Sequence, residues 1–376
     1  MNIVNYGKQT ILKDDISVVE KVLESDFLTT GPKVQEFEFA LCKYTGAKYC
    51  VVVSNGTAAL HLSSMVLLNK NDKVLTTPNS FLATSNSILY VEAKPIFVDI
   101  KEDGNIDLEL CEEELKKDSS IKAIYAVHFS GNPVNQEKLE YLKKTYDIKI
   151  LEDCAHSLGA SFNEIKAGSC KNSDISIFSF HPVKNITTGE GGAITTNSKE
   201  IYEKLLSLRN HGIIKTQTMK PWEYEMQDLG FNYRLTDIQC ALGISQLKKL
   251  DNFLEKRYTI SKRYDKFFEK LENIKPLYPF RKESAYHLYI VRVDFRKFSI
   301  SKEELFNKLR DKNIGIQLHY MPINKQPFYK SLGYGDEYTP QMDRYYEEAL
   351  SLPIFPSLSE EKQNYVINSL KGLLYA

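Results

Sequence analysis

Hydrophobic and polar positions along the chain follow two alternating rhythms. Ile16, Val19 and Leu23 recur at helical spacing behind Asp14, which predicts a capped helix over 14–24. The segment Phe27-Leu-Thr-Thr-Gly-Pro32 breaks it, and a second helical repeat runs from Val34 to Tyr44. Short apolar runs then read as strands over 49–53, 73–76, 95–100, 122–128, 148–152, 174–180 and 193–196. Helical repeats fill most of the gaps, over 57–69, 79–91, 107–117 and 135–146, with another over 198–210 after the last strand. Strands alternating with helices predict a mainly parallel sheet covered on both faces, which binds ligands at the carboxyl ends of its strands.

The rhythm changes after Gly212. Residues 215–229 are polar and irregular around the single tryptophan, Trp222, and read as a loop or flap. A long helical repeat over 236–271 leads to strand-like 287–294, helix 301–312, strand-like 314–319 and helices over 340–350 and 358–373. At 376 residues the chain exceeds one ordinary core. The pattern divides it into a large α/β domain over 1–250, N-terminal segment included, and a small α+β domain over 251–376.

Composition narrows the function classes. Apolar residues make up 42% and charged residues 26%, and Lys plus Arg equals Asp plus Glu at 49 each, so no global field draws the chain to nucleic acid or an acidic membrane. Cys42, Cys50, Cys111, Cys154, Cys170 and Cys240 form no CxxC pair and have no histidine at zinc-ligand spacing, so no metal is expected. Scattered thiols suit a reducing compartment, and no run reaches the roughly 20 apolar residues of a membrane helix. These features point to the cytoplasm.

Candidate chemistry centres on Asp174–Thr196, where a strand-like run ends at His181-Pro182, Lys184 follows, and Gly189-Glu-Gly-Gly192 opens a second strand. A lysine held between two strand ends can be buried and pushed toward its neutral, nucleophilic form, although an isolated lysine in a loop is ordinarily solvated. Ser54-Asn55-Gly56-Thr57-Ala58-Ala59-Leu60 joins a strand to a helix through small residues. That makes either a phosphate cradle at a helix N-terminus or an ordinary Thr-capped turn. Asp153, in Glu152-Asp-Cys-Ala-His156, emerges at a strand end, either to face a protonated ring nitrogen or to cap the next helix. His156 is able to pack on a ring, and Phe81 reads either as a ring platform or as core packing. A cradle, a strand-end carboxylate, an aromatic platform and a positioned lysine are what pyridoxal 5′-phosphate requires.

The motifs SNGTAAL, EDCAHSLGA, SFHPVKNITTGEGGAITT and GFNYRLTDIQCALG, in this order over nearly the whole chain, resemble the DegT/StrS sugar aminotransferases of the fold type I pyridoxal phosphate enzymes. By that resemblance Lys184 anchors the cofactor and moves the proton, Asp153 keeps its ring nitrogen protonated, and Phe81 and His156 flank the ring. The Thr57 and Ala58 amides and the Ser179 hydroxyl bind its phosphate, and Asn232 reaches the cofactor of the other subunit in a homodimer with shared active sites. Phe180-His-Pro-Val-Lys184-Asn-Ile-Thr187, Leu28-Thr-Thr-Gly31 and Gly315-Ile-Gln-Leu-His-Tyr-Met-Pro322 are similar to the branch that aminates a UDP-linked 4-keto-6-deoxy-N-acetylhexosamine with L-glutamate, in a pathway of the pseudaminic acid type. That similarity assigns Tyr6, Leu28, Thr29, Thr30, Gly31, Gln317, Leu318, His319 and Tyr320 to the sugar nucleotide. Thr30 and Pro32 depart from the expected turn, and Asn185 stands where a proline is expected. Open alternatives are a dTDP-linked 3-keto or 4-keto sugar, a dehydratase of the same fold, which Lys184 argues against, and a regulator that has lost turnover. An ordinary Rossmann protein is disfavoured because no G-x-G-x-x-G follows the first strand.

Overall fold

The computed structural model describes residues 3–216 and 218–375. Its centre is a seven-stranded sheet in the order β1 (Tyr49–Val53), β9 (Gly192–Thr196), β8 (Ile175–Ser179), β5 (Lys149–Asp153), β4 (Ile121–Val127), β2 (Lys73–Thr76), β3 (Lys94–Phe97). All strands run one way except β9, which is antiparallel to both β1 and β8. The apolar runs are buried on both faces, as a helix-covered parallel sheet requires. Val51 and Val53 join a layer with Leu62 and Leu205, while Cys50 and Val52 face the opposite core.

Helices α3 (Gly56–Leu67), α4 (Ala83–Tyr90), α5 (Leu108–Lys117), α6 (Gln136–Tyr146) and α7 (Lys199–Arg209) cover the sheet with α1 (Lys13–Leu23) and α2 (Pro32–Thr45). Small hairpins are formed by β6 (Ser161–Phe162) with β7 (Ile165–Lys166), and by β10 (Ile213–Ile214) with β11 (Glu225–Met226). The C-terminal part packs α10 (Lys302–Asp311), α12 (Pro340–Glu348) and α13 (Glu360–Leu374) around a three-stranded sheet of β12 (Ile274–Pro276), β13 (Tyr289–Val293) and β14 (Ala349–Leu352). Helix α11 (Pro327–Ser331) lies against the large part, its Tyr329 packed on Phe97 and bonded to Ser85 at 2.7 Å. One apolar cluster runs from Phe37 and Leu41 of α2 through Tyr264 to Val291 and Leu350, so the two parts share a continuous core.

Several expectations need correction. The helical repeat over 236–271 is two helices, α8 (Asp237–Leu247) and α9 (Leu250–Phe268). At the break, the Lys249 ammonium lies 2.7 Å from the fully buried Asp15 carboxylate, and Gln246 donates to the same group at 2.9 Å. Asp14 does not cap α1; Asp15 does, accepting from the Leu12 amide at 2.9 Å. Residues 314–319 form no strand, only single bridges from Ile314 to Val4 and from Gln317 to Ser351. The last turn expected of helix 340–350 is instead the start of β14, because Ala349–Leu352 pairs with β13. Among the described residues no helix is long and apolar enough to cross a membrane.

Candidate active site

A cavity of about 840 Å³ opens where the carboxyl ends of β5 and β8 meet the N-terminus of α3. Its wall includes Tyr6, Thr57, Ala58, Phe81, Asp153, His156, Ser179, Lys184, His319 and Tyr320.

The α3 end is built first. Asn55 caps the helix, its Oδ1 accepting from the Ala58 amide at 2.8 Å. The cap is therefore Asn55 rather than Thr57, and the Ala58 amide expected to hold an anion is already taken. The Thr57 amide, at the second helical position, has no partner among the described residues. A Cβ on Gly56 would lie 2.9 Å from the Ser179 Cβ, so this glycine allows the Ser179 hydroxyl to stand against the helix N-terminus. Partial positive charge, an open amide and a hydroxyl in one corner suit a phosphate.

Asp153 ends β5 and is buried. Its Oδ2 accepts from Thr84 Oγ1 at 2.7 Å and its Oδ1 from the Ala155 amide at 3.0 Å. Behind it Glu152 is fixed by His128 at 3.0 Å and by Ser173. Burial alone would raise that carboxyl, but the His128 contact and the hydroxyl and amide donors hold it at about 2. Lys184 lies between β8 and β9, its amide bonded to the His181 carbonyl at 2.9 Å. Burial lowers its ammonium to about 8, against the opposing pull of the Asp153 carboxylate. Asn185 donates to the carbonyls of Leu158 at 3.4 Å and Ala285 at 3.1 Å, tying the lysine turn to the C-terminal part as no proline could.

The opposite wall is aromatic. Phe81 precedes α4 instead of starting it, and its ring lies on the cavity wall, 59% exposed and open to stack on a ligand. His156 Nε2 is 3.2 Å from the Tyr320 hydroxyl, with the two rings stacked at 22°, and its Nδ1 is buried without a partner. Burial, then Lys184 and His319, keep His156 well below the ordinary imidazole range. His319 is pushed down to about 3 by burial and then by Lys184; its Nδ1 is 2.8 Å from the Ser351 hydroxyl, and its ring lies 5.4 Å from that of Tyr6.

Other expected residues lie elsewhere in this chain. Thr29 bridges to Thr236, and the amides of Gly31 and Lys33 donate to Asp237 at 2.7 and 2.9 Å, while Thr30 takes a left-handed φ of 56°. Leu28 is an exposed side chain of the same turn, and Asn232 is exposed and bridges to Asn210. Gln317 pairs with Ser351 through the backbone, and Leu318 packs on the core. None of these residues lines the cavity. Conversely, Thr84, Asn55 and His287 belong to the site but were not expected there. Asn55 preceding a Gly-Thr helix start is a readable cap signal; Thr84 and His287 come together with Asp153 and His156 only through the fold.

An open helix N-terminus, an apolar ring platform, a buried carboxylate and a depressed lysine define a fold type I site fitted to pyridoxal phosphate, the class of the aminotransferases. The chain belongs to the DegT/DnrJ/EryC1/StrS aminotransferase family, whose profile matches residues 9–371. It is 44% identical over 373 residues, covering 99% of this chain and 97% of the relative, to a UDP-4-amino-4,6-dideoxy-N-acetyl-beta-L-altrosamine transaminase of Campylobacter jejuni. Helicobacter pylori PseC, described as an aminotransferase involved in the biosynthesis of pseudoaminic acid, superposes with a TM-score of 0.94 at 33% identity over 100% of both chains. The PLP-form of the putative sugar aminotransferase Spr1654 from Streptococcus pneumoniae superposes with a TM-score of 0.89 at 30% identity, over 99% of this chain and 98% of that one.

Proposed function

We propose that this protein uses pyridoxal 5′-phosphate to transfer an amino group from L-glutamate to the C4 keto group of a UDP-linked 4-keto-6-deoxy-N-acetylhexosamine, as a homodimer. The observation that carries the chemistry is the convergence of Lys184, Asp153 and Ser179 with the α3 N-terminus on one cavity. The similarity to the Campylobacter transaminase supports the substrate. When bound, the cofactor supplies an electron sink for breaking and making the bond to the amine-bearing carbon. The chain's own residues do the rest. Ser179 and the Thr57 amide hold the phosphate, and Asp153, fixed by Thr84, faces the ring nitrogen as an anion. Phe81 and His156 flank the ring, and the Lys184 amine, poised near neutrality, takes and returns the proton. Tyr6, His319 and Tyr320 face the sugar. Leu28 to Gly31 and Asn232 reach the site from the second subunit, which accounts for their distance from the cavity of their own chain.

The test supplies the purified protein with L-glutamate and, separately, the UDP-linked 4-keto sugar and its dTDP-linked 3-keto and 4-keto relatives, and follows 2-oxoglutarate. The UDP-linked sugar should turn over fastest. Faster turnover of a dTDP-linked compound overturns the substrate, and failure to bind pyridoxal phosphate overturns the chemistry.

A further inference from the structure

The α9 helix buries Arg257 to 1% exposure. Among the described residues its guanidinium meets no carboxylate. Nη1 donates to the carbonyls of Tyr286 at 3.0 Å, His287 at 3.3 Å and Ile354 at 3.2 Å, and Nε is left without a partner. A buried cation without a counter-charge is costly, so its presence calls for a gain elsewhere.

One of the carbonyls it grips is that of His287, which lines the cavity, and another is that of its neighbour Tyr286. Ala285 and Leu288 bond through their amides to Gly131 at 2.9 Å and Ser130 at 3.2 Å. Gly131 sits at φ +99°, where a Cβ would lie 2.9 Å from both the His156 carbonyl and the Tyr286 amide. This close approach brings the buried His287 ring to 4.3 Å from the His156 ring, tilted 40°. The Nδ1 atoms of both rings are buried without partners.

We propose that Arg257 and His287 form a positioning column behind His156, in which the guanidinium fixes the backbone that carries His287 and the His287 ring supports the His156 ring on the cavity wall. What His156 then faces rests on the proposed cofactor. The same geometry sets the charge. His287 faces His156, His319, Lys184 and, past His156, Tyr320 on the cavity side, with Asp153 the anion across the cavity and Arg257 behind. Burial, then His156, Lys184, Arg257 and His319, hold its imidazole well below the ordinary range. Arg257 is the one cation of this set that stays charged at every pH of interest. Without it the Tyr286 and His287 carbonyls lose their donor, and the His287 ring is free to leave its buried place against His156. The loss of that burial, with the smaller loss of Arg257's charge, lets His287 take up a proton and spoil the neutral platform.

The test uses imidazole NMR titration of the protein with and without cofactor, and the pH profile of kcat, for Arg257→Met, Arg257→Lys and Arg257→Met combined with His287→Phe. In the unmodified protein the signals of His156 and His287, assigned by single substitution, should stay neutral through the pH range in which added free histidine titrates, near 6.5. Arg257→Met should make His287 titrate and move the acid limb of kcat upward by about one pH unit or more. Arg257→Lys should not move it, and adding His287→Phe should return the limb to its original place. An unmoved limb in Arg257→Met, or a shift that persists in the double variant, overturns the proposal. If Arg257→Met does not fold, titration of His156 or His287 above pH 6 in the unmodified protein overturns it. The NMR result is obtained without cofactor, so failure of cofactor binding counts against the proposed function alone.

Discussion

Lys184 shows how a side chain acquires its chemistry from its surroundings. Burial brings its amine to about 8, so near that pH about half of it is neutral while an ordinary lysine at 10.5 is almost wholly protonated. Treating cofactor-free protein with pyridoxal phosphate and borohydride at pH 8 should therefore label Lys184 ahead of the surface lysines, with the yield falling toward pH 6. A peptide map with the label elsewhere removes Lys184 from its proposed role. Thr84 offers a quieter test. Thr84→Val leaves a buried Asp153 oxygen without its 2.7 Å donor, which costs about 1–3 kcal/mol, and Thr84→Ser should restore it. A lower melting temperature and weaker cofactor binding in Val but not Ser is the expected pattern. Lys184 was readable beforehand because proline and glycines bracket it in sequence. Thr84 was not, because its partner lies 69 positions away and no local spacing announces the pair.

At the scale of elements, the cradle depends on the one strand that runs backwards. The strand β9 begins at Gly192, where a Cβ would come within 2.5 Å of the Asn55 carbonyl oxygen and 2.9 Å of the Gly56 amide nitrogen. Gly192→Ala should displace the start of α3, cost about 1–3 kcal/mol as an overpacked site does, and weaken phosphate anchoring. Calorimetry together with a cofactor titration checks this; unchanged affinity would show that the cradle does not lean on β9. The seven strands and the helices over them were readable from period and length, since buried strands read as short apolar runs. The reversal of β9 was not, because direction is decided by pairing rather than by composition. The break between α8 and α9 was hidden for a related reason: Lys248 and Lys249 are good helix formers, and the buried Asp15 that captures Lys249 belongs to α1.

For the molecule as a whole, the turn at Leu28 to Gly31 and the Asn232 side chain lie outside the cavity of their own chain, although the neighbouring Tyr233 lines it. Thr30, Gly31 and Arg234 line a separate cavity of about 890 Å³ beside the exposed ring of Phe39. If a second copy covers that face and receives Asn232, mixing Lys184→Ala with Asn232→Ala subunits should regain one intact site per mixed dimer. Activity equal to the sum of the two parents refutes sharing. Topology also sets when the protein can exist. Within the sheet its first strand in the chain, β1, pairs only with the last, β9, Tyr49 opposite Thr196, so this edge of the sheet is completed late. During synthesis a ribosome must release more than half of the chain before β1 has a neighbour, and until then an apolar strand waits with an open edge. The growing polypeptide therefore passes through a stretch in which it is prone to aggregation and has no place for its cofactor, and chaperone demand should fall once residues beyond Thr196 have left the exit tunnel.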